Sequence, residues 1–448
     1  MRSTGHSRPL RLLCALGALV LAGLIPARSF AQELASEPPP ADEPQKPVRF
    51  GTYTPGGGFK VASTEYGDLN IRVYAYVRYL NQKDLDETST DSFGATSTLD
   101  LRQDVQLNKV NVYFQGWLMS QKLRYVFYVW TSNTSQGNGA QVVVGGNLGY
   151  RFNEHARLSF GIGSLPGVRS TSGNFPFWLG VDNRLIGDEF FRPSYTSGIW
   201  VDGKIVDGVN YAVMLGDNLS QLGVDAAQLD DGFDTWSGVV SWMPTTKEYG
   251  RASGFGDFER HDKVATRFAL HYTRSTEDKQ SQPGTESPEN SQIRISDGNI
   301  VFAPALFGPG TVIQTVRYQM MSLEAGIKYK GFSVEGEYYV RQVDDFRGVG
   351  VDTLPFDKLS DDGFQLQTSA MVLPKELQLY LSGSKIFGEY GDPWDARFGV
   401  NWFPWKNQVV RWNTEVISLS HSPVGALSLP YLVGGNGLVF HTNFEVNF

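Results

Sequence analysis

The chain closes on Leu438-Val439-Phe440-His441-Thr442-Asn443-Phe444-Glu445-Val446-Asn447-Phe448. One face of this stretch carries Leu438, Phe440, Thr442, Phe444, Val446 and Phe448, and the other Val439, His441, Asn443, Glu445 and Asn447. Successive side chains of a strand point to opposite faces, so the alternation fits lipid on one side and water on the other. A soluble edge strand reads the same way, so the decision rests on its partners.

Those partners recur along the chain. Leu69–Leu80 sets Ile71, Val73, Ala75, Val77 and Tyr79 against Arg72, Tyr74, Tyr76 and Arg78. Gln106–Leu118 sets Val110, Val112 and Phe114 against Lys109, Asn111 and Tyr113, and the next strand sets Tyr125, Phe127 and Val129 against Arg124, Tyr128 and Trp130. The same test gives about sixteen strands, with Glu335, Glu337 and Arg341 on the polar face of one of them. Connections alternate long with short, as the outer loops and periplasmic turns of a transmembrane barrel do. One breaks the pattern, because 244–262 is long and falls on the periplasmic side. Gln292–Phe302 reads as a hairpin inside an outer loop. The absence of a fixed repeat argues against a propeller or solenoid, and Tyr79, Tyr338, Trp402 and Trp412 near strand ends suit interfacial girdles. The expected fold is all-β: a transmembrane antiparallel β-barrel over 50–448.

The amino terminus has Arg2, Arg8 and Arg11, an apolar run from Leu12 to Ile25, then Ser29-Phe30-Ala31, the pattern of a cleaved signal peptide over 1–31. Residues 32–49, with Pro38, Pro39 and Pro40, read as an extended periplasmic linker. Losing the leader's four arginines takes the net charge from -8 to -12, which disfavours nucleic-acid binding. The only cysteine, Cys14, goes with the leader, so disulfides, thiolate catalysis and Cys-based metal sites go too.

No nucleophile elbow, zinc-protease or phosphate-loop motif occurs. His155, His261, His271, His421 and His441 lack ligand spacing. Asp230-Asp231-Gly232 with Asp234 lacks the bidentate glutamate of a high-affinity calcium loop. Glu335 and Glu337, two apart on a strand, read as lumen wall rather than as a catalytic pair. Neither a metal nor a cofactor is expected. What remains is Ser164–Thr196, where Arg169, Arg184 and Arg192 interleave with Phe175, Phe177, Trp178, Phe190 and Phe191. An outer loop so aromatic is expected to fold into the barrel, burying its rings and leaving its arginines to narrow the pore.

The stretch Gly161–Gly203, with Leu165-Pro166, Phe175-Pro176-Phe177, Asp182, Arg184, Phe190-Phe191, Arg192-Pro193 and Thr196-Ser197-Gly198-Ile199, resembles the phosphate-selective porin O and P family of bacterial outer membranes. So do Leu323-Glu324-Ala325-Gly326, Tyr329-Lys330-Gly331-Phe332, Glu335-Gly336-Glu337-Tyr338 and Gly399-Val400-Asn401-Trp402-Phe403 with Arg411. The resemblance implies a 16-stranded outer-membrane porin, homotrimeric, with an inward third loop, a basic ladder and a terminal Phe448 read by barrel-assembly machinery. Arg72, Arg78, Lys109 and Arg124 are the matching wall charges, and Arg169, Arg184 and Arg192 the constriction charges. The inward acids Asp202, Glu335, Glu337, Glu415 and Glu445 depart from a dedicated phosphate ladder.

The expectation is passive diffusion of small hydrophilic solutes, with a weak anion preference if those loop arginines line the narrowest point. The rival is a barrel acting as a surface receptor or enzyme without an open pore.

Overall fold

The computed structural model describes residues 51–132, 141–220, 232–278, 293–425 and 429–448. The leader and linker expected at 1–49, and the loop acids Asp230 and Asp231, lie outside them. Eighteen strands form one sheet, and two of these belong to an N-terminal hairpin. The sixteen others begin with β1 (Gly67–Leu85), β2 (Gln103–Leu118), β3 (Ser120–Ser132), β4 (Gln141–Arg151), β5 (Arg157–Ser164), β6 (Tyr195–Val206), β7 (Val209–Gly216) and β8 (Thr235–Trp242). They continue with β9 (Ala265–Asp278), β10 (Val312–Tyr329), β11 (Phe332–Val349), β12 (Lys358–Leu373), β13 (Leu377–Phe387), β14 (Trp394–Trp402), β15 (Val410–Ser420) and β16 (Gly437–Asn447). Each pairs antiparallel with the next, and β16 pairs back onto β1, with Phe444 opposite Val77 and Glu445 opposite Tyr76. The barrel is therefore closed, leaving no edge to be satisfied in lipid. Where β16 runs out, the hairpin of Thr52–Thr54 and Gly58–Thr64 takes its place beside β1.

The outward faces expose Phe160, Leu270, Phe268, Leu366, Phe398 and Phe444, the apolar band that lipid requires. Trp236 and Trp394 stand at one end of their strands and Trp242, Trp402 and Trp412 at the other, with Trp402 directly opposite Trp412. Amphipathic indole rings suit the two boundaries between hydrocarbon and water.

Inside, the wall has two zones. Along β15, inward Arg411, Asn413 and Glu415 give way to Ile417 and Leu419; along β11, Ser333, Glu335 and Glu337 give way to Tyr339 and Val343. On the apolar outer zone sit α1 (Ile186–Phe191), the one α-helix among the described residues, the tight 293–302 hairpin and Val424, Leu429 and Tyr431 of the last loop. Phe191 is wholly buried and stacks on Tyr339 with ring centres 5.0 Å apart. Burying such a side chain is worth about 1.5–3 kcal/mol. At the start of β10 the inward face is apolar (Ile313, Val316, Tyr318) and the other face polar (Gln314, Arg317), the reverse of a lipid-facing pattern, which is why β10 starts at Val312 and β11 ends at Val349, whereas sequence alternation suggests strands at 319–329 and 332–342.

Candidate functional site

The third outer loop, 165–194, lies inside the barrel and is almost entirely buried. It is hydrogen-bonded to the wall around much of the circumference. Arg78 of β1 donates to the Val181 carbonyl at 2.8 Å, and the Tyr76 hydroxyl donates to Asp182 at 2.8 Å. Arg411 of β15 donates to the Trp178 carbonyl at 2.6 Å, and Arg397 of β14 to the Arg184 carbonyl at 2.6 Å. On the opposite side, the His271 ring meets the Pro166 carbonyl at 2.9 Å.

The loop's arginines are buried with carboxylates. Arg169 pairs with Glu324 at 2.9 Å and with Glu335, and stacks 4.3 Å over the Phe255 ring. Arg184 lies 4.4 Å over Trp178 and 3.5 Å from Glu189, which also takes Arg192 at 2.6 Å. Their charge is thus largely balanced by immediate neighbours.

The long periplasmic connection, 243–264, also enters the barrel. Tyr249 and Asp257 are fully buried, the Phe255 amide donates to the Phe177 carbonyl at 2.8 Å, and the Gly256 amide donates to Glu335 at 2.9 Å. Lys328 of β10 donates to the Tyr249 and Gly254 carbonyls at 2.9 and 2.5 Å. The connection is clasped by His261, whose ring sits between Asp257 and Glu248. Hydrogen bonds to Asp257 and then Glu248 push its pKa up to about 9. Outer loop and inner connection thus meet near the middle of the barrel.

The expected wall residues divide between covered and wet. Glu335 and Glu337 point inward but lie under the third loop rather than facing bulk water, and Glu337 accepts from the Arg169 amide, Ser322, Tyr339 and Gln365. Arg341 is buried 3.9 Å over Phe190 and paired with Asp361 at 2.6 Å. Lys109 pairs with Asp182 at 2.6 Å, and Arg78 is bound as above. Arg72 and Arg124 remain partly exposed. Beside them Tyr113, Gln115, Asn147 and Asp202 are also partly exposed, whereas inward side chains of β9–β16 are buried with few exceptions. These partly water-accessible inward side chains lie on β1–β6, while Tyr76, Arg78, Lys109, Asn111 and Trp130 of the same strands are buried. A narrow cleft lies between the third loop and β12–β15, lined by Trp178, Asn183, Gln367, Ser382, Arg397 and Glu415.

Sequence reading alone missed Glu324, Arg397 and Lys328 as partners of the inserted segments. Their alternating inward positions were a signal, but what they bind lies on distant loops. The inward course of 243–264 had the same signal as the third loop: Tyr249, Phe255 and Phe258 in an overlong connection.

No family model and no curated protein sequence matches the chain. Solved structures do. The anion-selective porin from Comamonas acidovorans matches at 10% identity with a TM-score of 0.50, covering 85% of this chain and 100% of that one. OmpT, an outer-membrane protein of Vibrio cholerae, matches at 10% and 0.52, covering 86% and 99%. OmpF of Salmonella typhi matches at 10% and 0.51, covering 87% and 100%. The fold is that of the outer-membrane porins. At such identity the likeness is of fold alone, and the barrel here keeps its own lumen: a third loop held by paired charges and a second insertion from the opposite end.

Proposed function

We propose that this porin barrel sits in a bacterial outer membrane and lets small hydrophilic solutes diffuse through its lumen past the polar wall of β1–β6. The observation that carries the reading is a closed barrel with an apolar outer face whose inner wall carries partly water-accessible polar side chains, among them Arg72, Gln115, Arg124 and Asp202. Diffusion needs only a wet path and a local field, so no catalytic group is called for. The three loop arginines act at the narrowing mainly by position, since their carboxylate partners cancel most of their field. A weak preference for anions, phosphate-like ones included, then rests on wall charge along β1–β6, and a homotrimer belongs to the same reading. Planar-bilayer recording is the test. Steady conductance steps with a reversal potential toward the anion side are expected; steps with cation preference would remove the anion element.

One observation favours the rival without a steadily open pore: the outer zone is packed like a soluble core, with Phe190, Phe191, Ile293 and Tyr431 among its members. Silence of the wild type in bilayers, with conduction restored by trimming α1, supports that reading.

A further inference from the structure

The outer mouth carries a bridge that the third loop does not supply. Between β1 and β2 lies a small two-stranded sheet, Thr88–Thr90 against Thr96–Thr98, whose turn is folded about the Asp91 carboxylate, an acceptor for the Phe93 and Ala95 amides at 2.9 and 2.8 Å. Beside it, Ser92 donates to Asp297 through its amide, at 3.1 Å, and through its hydroxyl, and Asn299 Nδ2 donates to Asp91 at 3.0 Å. The Phe93 ring centre is 6.0 Å from that of Phe307 and 5.5 Å from that of Tyr390. Asp297 and Asn299 belong to the 293–302 hairpin and Phe307 follows it, all on the connection between β9 and β10, while Tyr390 lies between β13 and β14. In a closed ring of sixteen strands, β9 and β10 stand eight places from β1 and β2, on the far side of the barrel. These contacts therefore cross the mouth.

The two ends of the bridge are held unequally. Ile293, Ile295, Val301 and Phe302 of the hairpin are buried, Arg341 donates to the Arg294 carbonyl at 2.7 Å, and the Tyr390 amide donates to Ser296 at 3.0 Å. Residues 88–98 are exposed except for Ser89 and Asp91, which are partly so, and Phe93 is 45% exposed. Their root is fixed, because the Asp86 amide donates to the Asn436 carbonyl at 2.9 Å. A segment that buries so little apolar surface, and whose bonds compete with water, undocks at low cost. The hairpin stays in place and the strap can leave it.

We propose that residues 88–98 are a latch across the outer mouth. Docked on Asp297, Asn299, Phe307 and Tyr390, the strap divides the opening; released, it swings from its root at Asp86 and admits wider hydrophilic solutes to the lumen. Its effect on transport rests on the diffusion reading above, whereas its undocking does not. Because the strap grips the hairpin through a pair of carboxylates and one aromatic ring, removal of either Asp297 or Phe93 shifts it toward the released state.

The test is the double variant S92C/D297C, its thiols joined by a short bis-methanethiosulfonate that a reductant removes. With Cys14 in the expected leader, these are the only thiols of the barrel. Two readouts are taken on the bridged and the reduced forms: hydrogen exchange of the 88–98 amides in detergent, and, in planar bilayers, step conductance with the largest polyethylene glycol that enters the channel. Bridging should slow the exchange severalfold, lower the conductance and reduce the size limit, and reduction should reverse all three. F93A, which leaves Ser92 and Asp297 intact, should move each readout from the wild-type value toward the reduced form. Equal exchange in the bridged and reduced forms overturns the latch, whatever the conductance. Faster exchange on reduction with unchanged steps and an unchanged size limit also overturns it, since the strap then moves without gating. If no form conducts while exchange still responds to the bridge, the diffusion reading falls and the moving latch stands.

Discussion

The Phe255 amide donates to the Phe177 carbonyl at 2.8 Å, joining a segment that enters the barrel from one end to a loop that enters from the other. The Phe255 ring packs with Trp178, Leu179 and Tyr380 beneath the Arg169 guanidinium. Phe255→Ala should therefore cost about 3–5 kcal/mol, as for buried phenylalanines generally. It should also widen the meeting point of the two insertions, read as a lower urea midpoint in detergent together with larger conductance steps. A looser barrel with unchanged steps would place the narrowing elsewhere.

Arg169 is 2% exposed and joins Glu324 on β10 to Glu335 on β11. Arg169→Met leaves the buried Glu335 without its guanidinium and Glu324 with Arg267 as its remaining arginine, so stability should fall by about 3–5 kcal/mol. Adding Glu335→Gln should restore part of that loss, since the two changes share one network. Strict additivity in a double-mutant cycle would show that the pair is not coupled.

The clasp of the periplasmic connection should depend on pH in two directions. The His261 pKa is raised to about 9, so its contribution is complete below the unfolded value of about 6.5 and is lost as pH rises through about 9. The pKa values of Asp257 and Glu248 are lowered, chiefly by the His261 hydrogen bond at Glu248 and, at Asp257, by bonds from His261 and the Gly331 amide that outweigh burial. Their contribution is present above about pH 4–4.5 and fades as pH falls through the depressed values. Hydrogen exchange of 248–261, corrected for intrinsic rates, should be slowest between these limits, and His261→Ala should abolish the alkaline limb.

Phe448 exchanges hydrogen bonds with Val73, its carbonyl accepting at 2.6 Å and its amide donating at 2.9 Å. Its ring lies edge-on to Phe59 with centroids 6.3 Å apart. Phe448→Ser should reduce the membrane-inserted fraction while leaving unchanged the conductance of channels that do assemble. Normal insertion with altered conductance would reverse this assignment.

The strand count was legible because lipid outside and polar groups inside impose a period of two that local sequence cannot hide. The inward turn of the third loop was legible from its aromatics. The fate of its arginines was not: Glu324 and Glu335 lie 155 and 166 residues from Arg169, and no local pattern encodes a pairing across that distance. The covered state of Glu337 and Arg341 was hidden for the same reason, since an inward position says which way a side chain points and not what has been folded over it.

The third loop binds both sides of the line where the barrel closes. Val181 and Asp182 are held by Arg78 and Tyr76 of the first strand, and Asn183 is held by Glu415 of the fifteenth, with His441 of the sixteenth on the same carboxylate. Three consecutive residues thus stitch the seam from within, and the grip is complete only once the last strand has docked on the first. The hold on the loop and the integrity of the seam are therefore coupled, since each of these bonds counts toward both.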